Sequence, residues 1–422
     1  MKIVNKFSLL SIITLTFLTA CVDDSGELTV TYNKGTAIYG DMEKIRQVPL
    51  LGTVRGIENP GKIFVASSYL LIGEEDLGIH IIDNSNPSQP TPSGFINIPG
   101  NKEFFFEDNI IYAESYYDML KIEISNPSLP MLLSRSIEAL SEEIKNDSGE
   151  SLLAFSFVQV TEKVNDKADV YDQIYGGVHG YTLYDFANNL IPPSAVPASF
   201  AGNSNNKIGS INRIVKYNDF VYVVSRSNLL AFDDQNDFEK VFHQQMGSDM
   251  ETVFPMQDYL FIGSRDRVSI MDISTPESPT YLSHFWHTSS CDPVYPTENN
   301  VAYVTLRTGD FAECPGDVNA LIVLNTLDIQ RPVSVQEIEM ISPFGLQKIG
   351  TKLYVGEGAN GLKIFDASEP EHLKLEQWIK EIEAYDILEH PTNAGIILIA
   401  GPEGLSQYEK VGDFALLSKV QY

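Results

Sequence analysis

Short apolar runs, each broken after a few residues by turn formers, recur along the chain, and no stretch keeps a 3.6-residue apolar period for long. The clearest recurring unit is a Tyr-containing strand, a turn, then an apolar strand that ends in an acidic or amide residue followed by Ser or Asn and Pro. It reads GIHIIDNSNPSQP from Gly78, LKIEISNPSLP from Leu120, VSIMDISTPESP from Val268, LIVLNTLDIQRP from Leu321 and GLKIFDASEP from Gly361. Weaker copies are GYTLYDF at Gly180, LLAFDD at Leu229 and GLSQYE at Gly404. The closing positions are Asp83, Glu123, Asp185, Asp233, Asp272, Asn325, Asp366 and Glu409. A further apolar stretch precedes each Tyr strand and another follows each Pro, which makes four short strands per unit. The spacing of about 40–60 residues is that of β-propeller blades. The expectation is an all-β chain, a β-propeller of four-stranded antiparallel blades over residues 44–422, with eight blades preferred from the count of copies and seven as the alternative. Val48–Val54 reads as an outer strand ahead of the first full blade that closes the ring against the last one. An Asp followed by Ser/Asn-x-Pro is first of all a turn former, its carboxylate accepting local backbone N–H groups.

The Leu-x-Ile-x-Asp-x-Ser-x-Pro-x-x-Pro pattern of these copies resembles the LVIVD repeat of bacterial and archaeal surface proteins, and that resemblance implies the same propeller architecture. The copies at Gly180, Leu229 and Gly404 depart from it by losing the Ser-x-Pro turn.

The N-terminus adds a location. Lys2 and Lys6 precede an apolar run too short to span a bilayer, and residues 1–20 read as a signal peptide. Leu18-Thr19-Ala20-Cys21 resembles the lipobox of bacterial lipoproteins, which implies that Cys21 carries the lipid and anchors the chain to a membrane; the alternative is an ordinary secretory signal. The acidic stretch after Cys21 resembles the surface-export signal of Bacteroidetes lipoproteins, with a solvated linker as the plain alternative. Residues 21–43 are expected to be a flexible tether, and the localisation expected is the cell envelope, at the outer membrane and surface-exposed. A formal net charge of -28 repels phosphate backbones, so nucleic acid is excluded as a partner.

With Cys21 assigned to lipid, Cys291 and Cys314 remain. In an oxidising compartment they are expected to form one disulfide, closing a loop of about 24 residues worth on the order of 3 kcal/mol; a reactive or metal-binding thiol pair is the alternative.

Four long connections, Ile137–Ser151, Glu162–Gly177, Ala201–Ser210 and Thr308–Val318, fall at the ends of the blades where the second strand joins the third and one blade joins the next. That end is expected to be the working face. The ends of the second strands add Glu74, Glu114, Arg226, Arg265, Arg307 and Glu357 as candidate ligand contacts near the axis, with mutual salt bridging around a wet channel as the plain reading. His284 and His287 fall on opposite faces of a strand and make a poor metal pair; Trp286 between them is a sugar platform or, more plainly, packing. No metal or cofactor is expected. No G-x-S-x-G, H-E-x-x-H or P-loop motif occurs. The function expected is a non-catalytic binding or scaffold protein with a protein or glycan ligand. The rivals are a propeller hydrolase or lyase acting on glycans, which requires a convergent carboxylate or His pair in the axial pocket with a raised carboxyl pKa, and a structural surface-layer protein.

Overall fold

The structure is a computed structural model in which residues 28–164, 212–225, 227–247, 250–288, 293–308, 318–410 and 414–422 are described. The chain divides into two compact units, one of residues 1–36 and 157–183 and one of residues 37–156 and 184–422. In the first, the described residues belong to β1 (Leu28–Gly40) and β11 (Ser151–Val164), which pair with each other. β1 and α1 (Met42–Arg46) thus occupy part of the stretch expected to be a tether.

The larger unit is a propeller. Its first blade is β3 (Pro60–Val65), β4 (Tyr69–Glu74), β5 (Gly78–Asp83) and β6 (Thr91–Asn97); its second is β7 (Phe104–Glu107), β8 (Ile110–Ser115), β9 (Asp118–Glu123) and β10 (Met131–Ser136). The third is β12 (Ile214–Tyr217), β13 (Phe220–Val224), β14 (Asn228–Asp233) and β15 (Glu239–Gln245); the fourth is β16 (Met250–Met256), β17 (Tyr259–Ser264), β18 (Arg267–Asp272) and β19 (Thr280–Trp286). The fifth is β20 (Val294–Thr297), β21 (Val301–Leu306), β22 (Ala320–Asn325) and β23 (Val333–Glu339), and the sixth β24 (Leu346–Ile349), β25 (Lys352–Gly356), β26 (Leu362–Asp366) and β27 (Lys374–Ile379). The seventh is β28 (Asp386–Glu389), β29 (Ile396–Gly401), β30 (Gly404–Glu409) and β31 (Leu416–Gln421). Each is an antiparallel meander, and the first strands of neighbouring blades pack together around the axis.

Seven blades, not the preferred eight, close the ring. The apolar faces of consecutive blades form one core at each junction. Leu71 and Ile122 bury against each other's blades at the first junction, and Ile63 and Leu70 of the first blade pack with Leu398 and Leu405 of the seventh at the last. The copy at Gly180–Phe186 lies outside the described residues. Between β10 and β12 in chain order stands β11, and residues 165–211 lie outside the described residues. Of the four long stretches, Ile137–Ser151 leads from β10 into β11, and residues 165–177, 201–210 and 309–317 of the other three lie outside the described residues.

The segment expected to close the ring pairs elsewhere. β2 (Leu51–Gly52) lies along β6 as a fifth strand of the first blade, Leu51 opposite Ile96 and Gly52 opposite Phe95. The last blade is complete in itself, so closure comes from side chains. The amides of Asn84 and Gln407, both fully buried, exchange two hydrogen bonds of 3.1 and 2.7 Å across the junction. Gln407 also donates to the Pro87 carbonyl at 3.1 Å.

The repeated acidic residues serve the turns. Asp83, Asp272 and Asp366 each accept the backbone N–H two residues on, from Ser85, Ser274 and Ser368, at 2.8–3.0 Å, and Asn325 does the same with Leu327. Gly78, Gly361 and Gly404 open third strands at positive φ, where a Cβ would collide with the carbonyl of the strand alongside. This is why the copies so often begin with Gly.

Candidate functional site

The strand-end residues singled out in the sequence divide into three sets. Arg226, Cys291, Cys314 and Cys21 lie outside the described residues. Arg265 is half-buried just past β17, and the buried Arg307 guanidinium stacks 4.4 Å over the Phe344 ring. The three glutamates are turned into the scaffold. Glu74 accepts the backbone N–H groups of Glu58 (3.1 Å) and Asn59 (2.7 Å), Glu114 those of Lys102 and Glu103 (both 3.1 Å), and Glu357 those of Ile341 (3.0 Å) and Ser342 (2.7 Å). In each case the donors belong to the segment that leads into the same blade. These carboxylates therefore fasten the blade-to-blade connections, where backbone groups would otherwise be buried without acceptors.

Two of the three have a basic side chain beside them: His80 Nε2 lies 2.8 Å from Glu74, with burial holding its imidazole below the usual pKa, and the Lys363 ammonium pairs with Glu357. His80 and Lys363 fall at the same register position of their blades, two residues after Gly78 and Gly361. At the corresponding position of the second blade stands Leu120, which is fully buried. Burial first, then the Glu103 charge, pushes the Glu114 carboxyl up to about 7, with Lys102 and Arg213 opposing.

Glu114 opens onto a cluster that the strand-end pattern does not reveal. Lys62 sits inside β3, fully buried, and burial pushes its ammonium down to about 8 against the opposing pull of Glu103 and Asp386, with Arg213 repelling it. Lys62, Glu103, Arg213 and Asp386 come from the innermost segments of the first, second, third and seventh blades. The last three each act electrostatically on Lys62. Beside them a cavity of ≈ 70 Å³ is lined by Asn212, Thr252, Tyr295, Gln347 and Asp386 among others. Thr252 is 5% exposed, and its hydroxyl, like the Asn212 side-chain oxygen, has no hydrogen-bond partner among the described residues. The only signal in the sequence was a charged or polar residue within or just ahead of each innermost strand, as in the run Pro60-Gly61-Lys62-Ile63-Phe64-Val65. Two perturbed groups in one coupled cluster at a cavity mark a functional-site candidate.

The Glu114 shift makes a prediction. Its folded pKa, about 7, lies above the unfolded value of 4.5, so between those pH values the folded state holds more protons than the unfolded one. Stability due to this group is present below pH 4.5 and lost as pH rises through 7. Glu114→Gln should remove that slope and raise the unfolding free energy at pH 8 by about 1–3 kcal/mol relative to wild type. Urea unfolding at pH 5 and pH 8 checks it; an equal effect at both values contradicts the shift.

A second, open-mouthed crevice of ≈ 450 Å³ lies at the junction of the first and seventh blades, on the opposite rim, between the Pro87–Ser88 turn and Asn393–Ile396. Glu409 is the one titratable side chain among its lining residues.

Among the described residues no group of His, Cys, Asp and Glu is arranged to hold a metal ion. His284 instead contacts the Tyr281 hydroxyl and the edge of Trp286, and Trp286 is 55% exposed, not packed between blades.

Comparison with known proteins agrees with this architecture. The LVIVD repeat model matches residues 61–97, 256–285 and 350–378, in the first, fourth and sixth blades. No curated protein matches the chain. Among solved structures it is similar to the computationally designed Ika8 protein (TM-score 0.50, 10% identity, 87% of this chain and 89% of that one). It is similar too to a functionally unknown protein from Desulfotomaculum acetoxidans DSM 771 (TM-score 0.50, 10% identity, 86% and 95%). A chain of the mitotic checkpoint complex matches with TM-score 0.50 and 9% identity over 83% of this chain and 87% of that one. At such identities the likeness is one of fold.

Proposed function

We propose that this seven-bladed propeller with LVIVD repeats is a non-catalytic binding protein of the cell envelope, lipid-anchored through Cys21. Its partner is a protein that rests on the face where blade joins blade and inserts one polar side chain at the axis. The observation that carries this is the axial cavity. At ≈ 70 Å³ it is far below the roughly 300–1,000 Å³ of a small-molecule or sugar pocket, yet its lining holds the Asp386 carboxylate together with the Thr252 hydroxyl and the Asn212 side-chain oxygen, which have no hydrogen-bond partner among the described residues. A single inserted side chain suits that volume and satisfies those groups. The anchoring and the envelope location rest on the lipobox-like residues before Cys21 and on the resemblance to surface-protein repeats.

A second reading has its own support. Glu103 and Glu114 form a coupled carboxyl pair with one pKa raised, which is what a glycan hydrolase or lyase requires. The two are separated by one set of experiments on the purified chain. Cross-linking capture from an envelope extract of the source cells should recover a discrete partner, and Asp386→Ala or cavity-filling Thr252→Leu should weaken that capture about tenfold. In parallel, a panel of polysaccharides should yield no released sugar. Release that Glu103→Gln and Glu114→Gln both abolish would replace the binding reading with the enzymatic one.

A further inference from the structure

The outer strands of the blades are not alike. An exposed sheet edge offers unpaired N–H and C=O groups, and soluble proteins protect such edges with charge or with a covering segment. Here β10 carries Arg135, β15 Glu239 and Lys240, β23 Glu337 and Glu339, β27 Lys374 and Glu376, and β31 Lys419. Two outer strands have no Asp, Glu, Lys or Arg. One is β6, and its edge is covered by β2. The other is β19, Thr280-Tyr281-Leu282-Ser283-His284-Phe285-Trp286, and no described strand pairs with its outer edge.

That strand also displays large rings. Tyr281 is 50% and Trp286 55% exposed, with His284 between them, and the Arg267 guanidinium lies 4.8 Å over Trp286 from the strand behind. Tyr, Trp and Arg are the side chains that dominate binding energy at interfaces. In a chain of net charge -28, an uncharged aromatic edge left uncovered is out of keeping with every other edge of the ring.

We propose that β19 is a self-association edge, and that its partner is β19 of a second copy of this chain. Paired antiparallel about a two-fold axis at His284, the strand is self-complementary: His284 meets its own copy, Phe285 lies opposite Ser283, and Trp286 of one copy lies opposite the Tyr281–Leu282 bulge of the other. Such aromatic cross-strand pairs stabilise antiparallel sheets, and an isologous contact of this kind closes at two copies. β2 on β6 shows within this molecule that a blade of this propeller accepts a fifth strand. The proposal explains why this edge lacks the charges that guard the others, since two copies that each carry a large negative charge can approach only where the contact itself is neutral.

The charge gives the association an unusual signature. The repulsion between copies is long-range and screened by salt, whereas the contact is apolar and hydrogen-bonded. Sedimentation of the purified chain at about 50 mM and about 500 mM NaCl should show a monomer–dimer equilibrium that shifts toward dimer as salt rises. Trp286→Lys should weaken the dimer by about tenfold or more, while Val335→Lys on β23 should leave it unchanged. Hydrogen exchange of the wild-type chain supplies a readout that needs no variant: backbone amides of Thr280–Trp286 should gain protection as concentration carries the chain from monomer to dimer. A chain that stays monomeric at every concentration and salt overturns the proposal. So does a dimer that weakens with salt, that Trp286→Lys leaves intact, or that leaves β19 unprotected.

Discussion

Asp118→Ala should lower the unfolding free energy by about 3 kcal/mol, because it takes a carboxylate partner from two guanidinium groups that are mostly out of water, one of which, Arg46, keeps Glu143. Asp118 is fully buried and accepts from Arg46 Nε and Nη2, both at 2.9 Å, from Arg135 Nη1 at 3.0 Å and from the Glu138 backbone N–H at 3.0 Å. Arg46 also reaches Glu143 at 2.6 Å, and Glu143 is held in turn by Ser151 at 2.6 Å and Lys145 at 3.1 Å. Helix α1, the second blade and the connection after β10 are thereby tied together by one network. The Arg46 and Arg135 side chains keep 13% and 14% of their surface in water, which places the loss at the lower end of what breaking a buried pair costs. A shift in the urea midpoint, accompanied by faster proteolysis around α1, is the expected result. An unchanged midpoint would mean that the network contributes nothing net. Asp118→Asn, which keeps the shape and some acceptor capacity, should lose less.

Gln407→Leu should cost about 2–3 kcal/mol, since the Asn84 amide opposite would be left buried without its partner. Few other bonds join the first blade to the seventh: the Ser418 hydroxyl, like Gln407, donates to the Pro87 carbonyl. The double variant Asn84→Leu with Gln407→Leu should recover part of that loss, because a pair of apolar groups leaves no polar atom unsatisfied. A double-mutant cycle measured by denaturant unfolding checks this. Strict additivity would show that the two amides act independently and that apolar packing alone closes the ring.

The blades were legible because one strand in each carries a local grammar. An apolar run, an Asp and a Pro four residues later is a turn with a mechanism, and Asp83, Asp272 and Asp366 make the bonds that it requires. The number of blades was less legible. GYTLYDF has the same apolar alternation, yet nothing in seven residues tells whether three more strands exist to complete a sheet. Val48–Val54 illustrates a different limit, because a strand-forming segment does not declare which edge it will pair with.

The surroundings of the candidate site residues were not legible in the sequence. Glu74, Glu114 and Glu357 do stand at the ends of second strands, but the N–H groups that occupy them come from residues 11–16 positions away. Those donors become visible only when the register is known. Lys62, Glu103, Arg213 and Asp386 are scattered through more than 300 residues of sequence, and only closure of the ring brings them to one axis.

The Arg46 clamp has a mechanical consequence. Tension applied upstream of α1 is loaded into the middle of the second blade through ion pairs, in shear, before it can reach Pro60. The junction where the first blade meets the seventh is thus shielded from being peeled open by a pull on the leading segment.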